Sequence, residues 1–200
     1  MNYTDPAFAG KDIKKPSKFV LGAFDILESF VRAIAVVFII LTFFFKVCNV
    51  KGASMNNTLF ENEKLIVQSI AYTPRQNDII VFHQTGDVLN EPVVKRVIAT
   101  GNKWVKIDYD SKTLYVSNDS IFDTEDIVDE SDYVYFTIGE YKISGSYEVY
   151  VPDGYLFVMG DNRNNSTDSR SSVIGLVDER RVLGKVILRF DPIEKFGTVN

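Results

Sequence analysis

The stretch "FFFKVCNVKGASMNNTLF", residues 43–60, is where the chain changes its period. Upstream, "AIAVVFIILTFFF" (residues 33–45) is an uncharged run of 13 residues. Downstream, "KLIVQSI", "DIIVFH", "VVKRVIAT", "KWVKIDY", "KTLYVS", "YVYFTIG", "SYEVYV", "GYLFVMG" and "GKVILRF" are short runs rich in Val, Ile, Tyr and Phe. Gly, Asn, Asp, Ser or Pro separate them, the pattern of strands and turns. The fold class is therefore mainly β and antiparallel, with one helix before it. At the join a turn of small residues presents Ser54 beside Met55.

Thirteen apolar residues give about 20 Å of helix against a bilayer core of about 30 Å. The helix must begin earlier. Val20, Phe24, Leu27 and Val31 recur at helical spacing, and Glu28 and Arg32 form an i, i+4 pair. The stems of Arg32 and Lys46 can follow the apolar core and put their charges at its two faces, so residues 31–47 make a workable span. The lysines ahead of it favour a cytoplasmic N-terminus and an extracytoplasmic body. The expected organisation is a leader over 1–17, a helix with the membrane anchor over 18–47, and a β-rich domain over 48–200. Three other readings compete. A cleaved signal peptide would want a small-x-small site, which "KVCNVKG" lacks. Lipidation at Cys48 would want small residues where Lys46 and Val47 stand. A buried core helix stays open, because the uncharged run is short.

Composition narrows the function. With 200 residues and a hydrophobic fraction of 46%, one packed domain and an appendage fit, and disorder does not. Five basic and four acidic residues fall in 1–32; the remainder, with 17 basic and 23 acidic, carries −6. An acidic body is a poor partner for nucleic acid. One cysteine and one histidine exclude an internal disulfide, a multi-cysteine metal site and a His-rich zinc site, and no cofactor or metal is expected. Seven acidic residues crowd into 119–132, within a segment (113–141) that has no basic residue. It reads as a solvated surface excursion. Asn-x-Ser/Thr triplets stand at Asn56 and Asn164.

A nucleophilic serine needs a base. His83, at the end of "DIIVFH", is the sole histidine, and an ordinary hydrogen-bonded role suits it. The other candidate is a neutral lysine. Bringing its pKa from near 10.4 to about 8 disfavours the charged form by roughly 3 kcal/mol, which burial can do. Lys95 is embedded among Val93, Val94, Val97 and Ile98. Alternation sends Lys95 and Arg96 to opposite faces, so that one can be buried and the other solvated. On these residues alone, a plain strand-edge lysine is the simpler reading.

A wider pattern bears on the choice. "GASMNNTL", "NDIIVF", "VVKRVIATGN" and "MGDNRNNSTDSR" occur in the order and approximate spacing of type I signal peptidases. The chain resembles the single-anchor, Gram-positive-like form of that family, from the apolar helix to "VLGKVILRF". The resemblance implies a membrane-anchored serine endopeptidase on a β-rich fold that cleaves signal peptides from exported preproteins by a Ser-Lys dyad. By position, Ser54 resembles the nucleophile and Lys95 the general base. Ser166 resembles the hydroxyl that orients the lysine amine, Asp168 and Arg170 a supporting ion pair, and Ser169 a nearby structural hydroxyl. The backbone N–H of Ser54 would donate to the oxyanion. Where some relatives add a serine hydroxyl, this chain has Gly52. Asn57 replaces the family's usual proline in "SMxPTL", and "TGNKWVKIDYDSKTLYVSND" lacks its usual Gly-Asp and Asn-Gly turn signals.

The position of Ser54 suits such a substrate. Nine residues after Phe45, it lies within about 30 Å of the bilayer surface, near which a cleavage site emerges. The substrate is expected to add as a strand, with side chains entering shallow apolar pockets. By resemblance, Val50, Met55, Leu59 and Val94 line them, and small residues, chiefly alanine, are accepted at the first and third positions before the cut; plain core packing is the competing role for these four. The expected partners are signal peptides of exported preproteins and the lipid bilayer, and the sequence sets no oligomeric state. Two further functions compete: a Ser-Lys maturation peptidase dedicated to one secretion system, and a non-catalytic membrane-anchored peptide-binding module.

Overall fold

The computed structural model of the chain describes residues 17–85, 90–134 and 144–199. The leader, apart from Ser17, and most of the run "YVYFTIG" lie outside the described residues. Two compact units are present, residues 1–42 and 43–200. Most of helix α1, Lys18–Phe44, falls in the first; at 27 residues it is long and apolar enough to cross a membrane. At 1.5 Å per residue it measures about 40 Å, more than a bilayer core requires. Its Glu28 and Arg32 pair as their spacing implies. No residue of α1 is buried, whereas a core helix needs cover on at least one face.

The helix stops short of the expected 47. Phe45–Asn49 is strand β1, paired antiparallel with Lys64–Gln68, β2, from Phe45↔Gln68 to Asn49↔Lys64. Aromatic and β-branched residues tolerate either state, and a ladder to a distant strand decides between them. The remaining runs form strands as the sequence implies: Ile79–Gln84 (β3), Glu91–Ala99 (β4), Lys103–Asp108 (β5), Thr113–Ser117 (β6), Ser146–Val151 (β7), Tyr155–Met159 (β8) and Val182–Asp191 (β10). Two-residue strands Val177–Asp178 (β9) and Gly197–Thr198 (β11) are also present. The larger sheet runs β1-β2-β10-β3-β4-β8-β9, with β11 beside β10, and the smaller runs β6-β5-β7. All pairings are antiparallel.

The centre of the larger sheet is covered on both faces. Along β3, Ile79 and Val81 join a cluster with Val50, Met55, Leu59 and Val186, while Ile80 and Phe82 join another with Val97, Leu156 and Val158. Side chains of period two have divided between two cores. Strand β4 lies beside β3 and shares that cover. Lys95 and Arg96 are accordingly both buried, at 3% and 1% exposure, which corrects the expectation that one of them is solvated. Alternation sets the face, and only packing sets whether the face is wet.

Candidate active site

Ser54 sits in a tight turn after β1. Asn56 N–H reaches the Ala53 carbonyl at 3.1 Å, and the N–H groups of Thr58 and Leu59 reach the Met55 carbonyl at 3.1 and 2.8 Å. Asn57 takes a φ of 91° in this turn. Proline, fixed near −65°, cannot adopt that conformation, whereas asparagine enters it at modest cost. The replacement of the family's usual proline therefore goes with a differently shaped turn, beyond the loss of a restraint.

Lys95 reaches the turn from β4. Its Nζ lies 2.7 Å from Ser54 Oγ and donates a second bond to the Val94 carbonyl at 3.0 Å. Burial drives the Lys95 pKa down from 10.5 to about 8, against the opposing pull of the Asp168 and Asp161 carboxylates; the Arg170 guanidinium adds to the downward push. The charged amine is thereby disfavoured by about 3 kcal/mol. Near neutrality roughly a tenth of the amines are uncharged and able to accept a proton from the serine.

The loop over 160–170 locks the turn in place. Asn162 donates its backbone N–H to the Ser54 carbonyl at 3.1 Å and its side-chain amide to the Ala53 carbonyl at 3.0 Å. A Cβ at Gly160 would collide with that same Ser54 carbonyl and with the Ser166 side chain, so the approach is one that only glycine permits. Asp168 is fully buried and takes a two-pronged ion pair from Arg170, Nε and Nη2 each at 2.8 Å, plus the Gly160 N–H at 3.0 Å. Burial alone would push its carboxyl up; Arg170 and Gly160 hold it below the ordinary carboxylate range. Ser169 exchanges two hydrogen bonds with the Val158 backbone and so fastens the loop to β8. Ser166 Oγ is buried beside Asp168 and helps to hold that carboxyl low, although no hydrogen bond of ordinary geometry reaches it. The bond expected from it to the lysine amine is not formed, and the amine is held by Ser54 and Val94 instead.

Arg96 and Asp161 were not singled out in the sequence, yet they form the most buried ion pair of the site. Nε and Nη2 of Arg96 meet the two Asp161 oxygens at 2.9 and 2.8 Å, and the Thr58 hydroxyl donates to the same carboxylate at 2.5 Å. The strand carrying Lys95, the loop and the turn of Ser54 thus share one carboxylate. Pairs of this kind cost 3–5 kcal/mol when one member is removed, because the other stays buried without a counter-charge. A basic residue beside Lys95 and an acidic one in "GDNR" were the signals available.

Ser54 opens on a cleft of about 270 Å³, lined among others by Val50, Met55, Val93, Val94 and Lys95. Leu59 is fully buried in the cluster that contains Val50 and Met55 and is not among the lining residues. His83, opposite Pro92 in the β3–β4 ladder, does not line the cleft either. Strand β8 pairs with β4 only from Arg96 onward, so among the described residues the second edge of Glu91–Lys95 carries no strand. The Ser54 N–H donates no hydrogen bond among the described residues. The site therefore combines a hydroxyl, a buried amine, an unengaged N–H and an open strand edge.

The family described as "Signal peptidase, peptidase S26" matches residues 23–190. The chain is 32% identical over 192 residues to signal peptidase IB of Staphylococcus aureus strain Mu50, covering 85% of this chain and 92% of that protein. It is 32% identical over 176 residues to signal peptidase I of Bacillus licheniformis, covering 86% and 90%. The crystal structure of a signal peptidase I from Enterococcus faecalis V583 aligns with a TM-score of 0.37 at 28% identity, over 57% of this chain and 97% of that one. On the extent and identity of the sequence matches, the chain belongs to the type I signal peptidase family.

Proposed function

We propose that this protein is a membrane-anchored serine endopeptidase that removes signal peptides from exported preproteins, with Ser54 as nucleophile and neutral Lys95 as general base. The observation that carries the reading is the 2.7 Å approach of a buried amine to Ser54 Oγ. Uncharged Lys95 takes the Ser54 proton as Oγ bonds to the scissile carbonyl carbon, and the resulting oxyanion takes the Ser54 N–H. Collapse breaks the C–N bond; the Lys95 ammonium returns its proton to the departing amine, and an ester links Ser54 to the signal peptide. Water attacks the ester while Lys95 again accepts a proton, releasing the acid and restoring Oγ–H. Asp168, Arg170 and Ser169 hold the loop and take no part in bond changes. Ser166, whose buried hydroxyl lies beside Asp168, serves the amine once Ser54 is engaged with substrate.

Substrate enters as a strand along the open edge of β4, and Val50, Met55 and Val94 shape shallow pockets for alanine-sized side chains. Helix α1 anchors the chain with its N-terminus in the cytoplasm and the catalytic body outside. The test is incubation of the purified protein in detergent with a preprotein and a signal-less control, with intact mass measured. Loss of the signal peptide from the preprotein alone, abolished by Ser54→Ala, is the expected result. Equal processing by Ser54→Ala would refute the assignment.

A further inference from the structure

The acidic segment is tied to the site as well as exposed to solvent. It is fixed first to the smaller sheet: Val128 N–H reaches the Leu114 carbonyl at 2.9 Å, and Ile127 bridges to Tyr115. Beyond that point the N–H groups of Tyr133 and Val134 fold back on the Glu130 carbonyl at 3.2 and 2.9 Å. From this turn two side chains contact the two cations flanking the site. Both Glu130 oxygens accept from Arg163, through Nη1 at 2.8 Å and through Nη2. The side chains of this pair are 11% and 3% exposed. The Tyr133 ring lies 3.9 Å from the Arg96 guanidinium, in cation–π contact.

Arg163 passes the constraint on. Its Nε donates to the Gly160 carbonyl at 3.1 Å, and its own carbonyl accepts from Arg170 at 2.9 Å. Gly160 is where the loop meets the Ser54 carbonyl, and Asn162, next to Arg163, is the residue that hydrogen-bonds it. Without Glu130, a buried guanidinium next to that contact loses its counter-charge and must move toward water. We infer that Glu130 is a positioning residue for the Ser54–Lys95 pair, acting through Arg163, and that the stretch 127–134 is a strap holding the 160–163 loop against the turn of the nucleophile. This rests on the Ser-Lys reading above. Glu130 itself does not line the cleft.

The test uses the full chain in detergent and a fluorogenic peptide with alanine at the first and third positions before the cut. Glu130→Ala is expected to lower kcat at least tenfold, within the range that small misplacements of reacting groups produce, with KM within about twofold. The acidic limb of its rate profile should move to higher pH, because a loosened loop admits water and restores the ordinary basicity of the amine. Glu130→Asp should recover part of both, and exposed Glu125→Gln should leave kcat, KM and the limb unchanged. If Glu130→Ala does not fold, isosteric Glu130→Gln carries the same expectations. Wild-type kcat, a lower kcat with an unmoved limb, a rise in KM alone, or an equal effect of Glu125→Gln would overturn the inference. Ser54→Ala in the same assay separates the two readings: its inactivity alongside wild-type Glu130 variants would reject only the strap, and its activity would reject the dyad.

Discussion

Replacing Lys95 by methionine should make the protein more stable at neutral pH while abolishing cleavage. Methionine keeps an unbranched apolar stem, one atom shorter than lysine's side chain, and removes the amine from a site that is 3% exposed. The folded-state pKa is lowered by burial from 10.5 to about 8. Below pH 8 both folded and unfolded chains hold the proton, and the folded chain bears the whole penalty of a buried charge. Between about 8 and 10.5 the unfolded chain binds more protons than the folded one, so stability rises with pH across that window. The rise amounts to about 3 kcal/mol. Methionine forfeits the bonds to Ser54 and Val94, worth about 1 kcal/mol each, which lowers its stability equally at every pH. The difference between the two proteins, in which other titrating groups cancel, should therefore change by about 3 kcal/mol over the window. Urea unfolding followed through Trp104, the sole tryptophan, measures it at a series of pH values. Parallel stability curves for wild type and Lys95→Met from pH 8 to 10.5 would refute the claim that burial sets the amine's pKa.

Three other outcomes follow from the geometry. Gly160→Ala places a Cβ against the Ser54 carbonyl and the Ser166 side chain; a shift of about 1 Å in the nucleophile costs on the order of 100-fold in kcat/KM, and wild-type kinetics in a folded Gly160→Ala protein would exclude the contact. Phenylalanine for alanine immediately before the cut overpacks a shallow pocket by about 1–3 kcal/mol, so processing should slow at least tenfold; equal cleavage of both preproteins would reject the small-residue rule. Protease added to intact spheroplasts should degrade the body of the protein, and survival of that body until lysis would reverse the proposed topology.

The residues of the candidate site were readable as a set of motifs resembling one family, whereas Lys95 among its own neighbours read as a plain strand-edge lysine. Ser54, Lys95 and Asp168 lie far apart in the chain and converge in one place. Most strands were equally readable from short β-branched and aromatic runs. The misreadings share a cause, which is that the deciding partner is distant. The helix ends at Phe44 because β2 is there to pair with residues 45–49. Arg96 is buried because Asp161 waits on its face, and no local period reports that. Glu130 resembles any other carboxylate in an acidic run until Arg163 is placed beside it. The turn at Asn57 was marked in the sequence as a departure from proline, and its positive φ gives that departure a shape.

The central claim is that the proton of Ser54 passes to a neutral lysine, and the pH dependence of kcat/KM tests it most directly. The account predicts an acidic limb with an inflection near 8, the value burial gives Lys95, the same limb in His83→Ala, and no cleavage by Lys95→Arg, whose guanidinium stays protonated at working pH. An acidic limb that disappears in His83→Ala, or cleavage by Lys95→Arg, would contradict it.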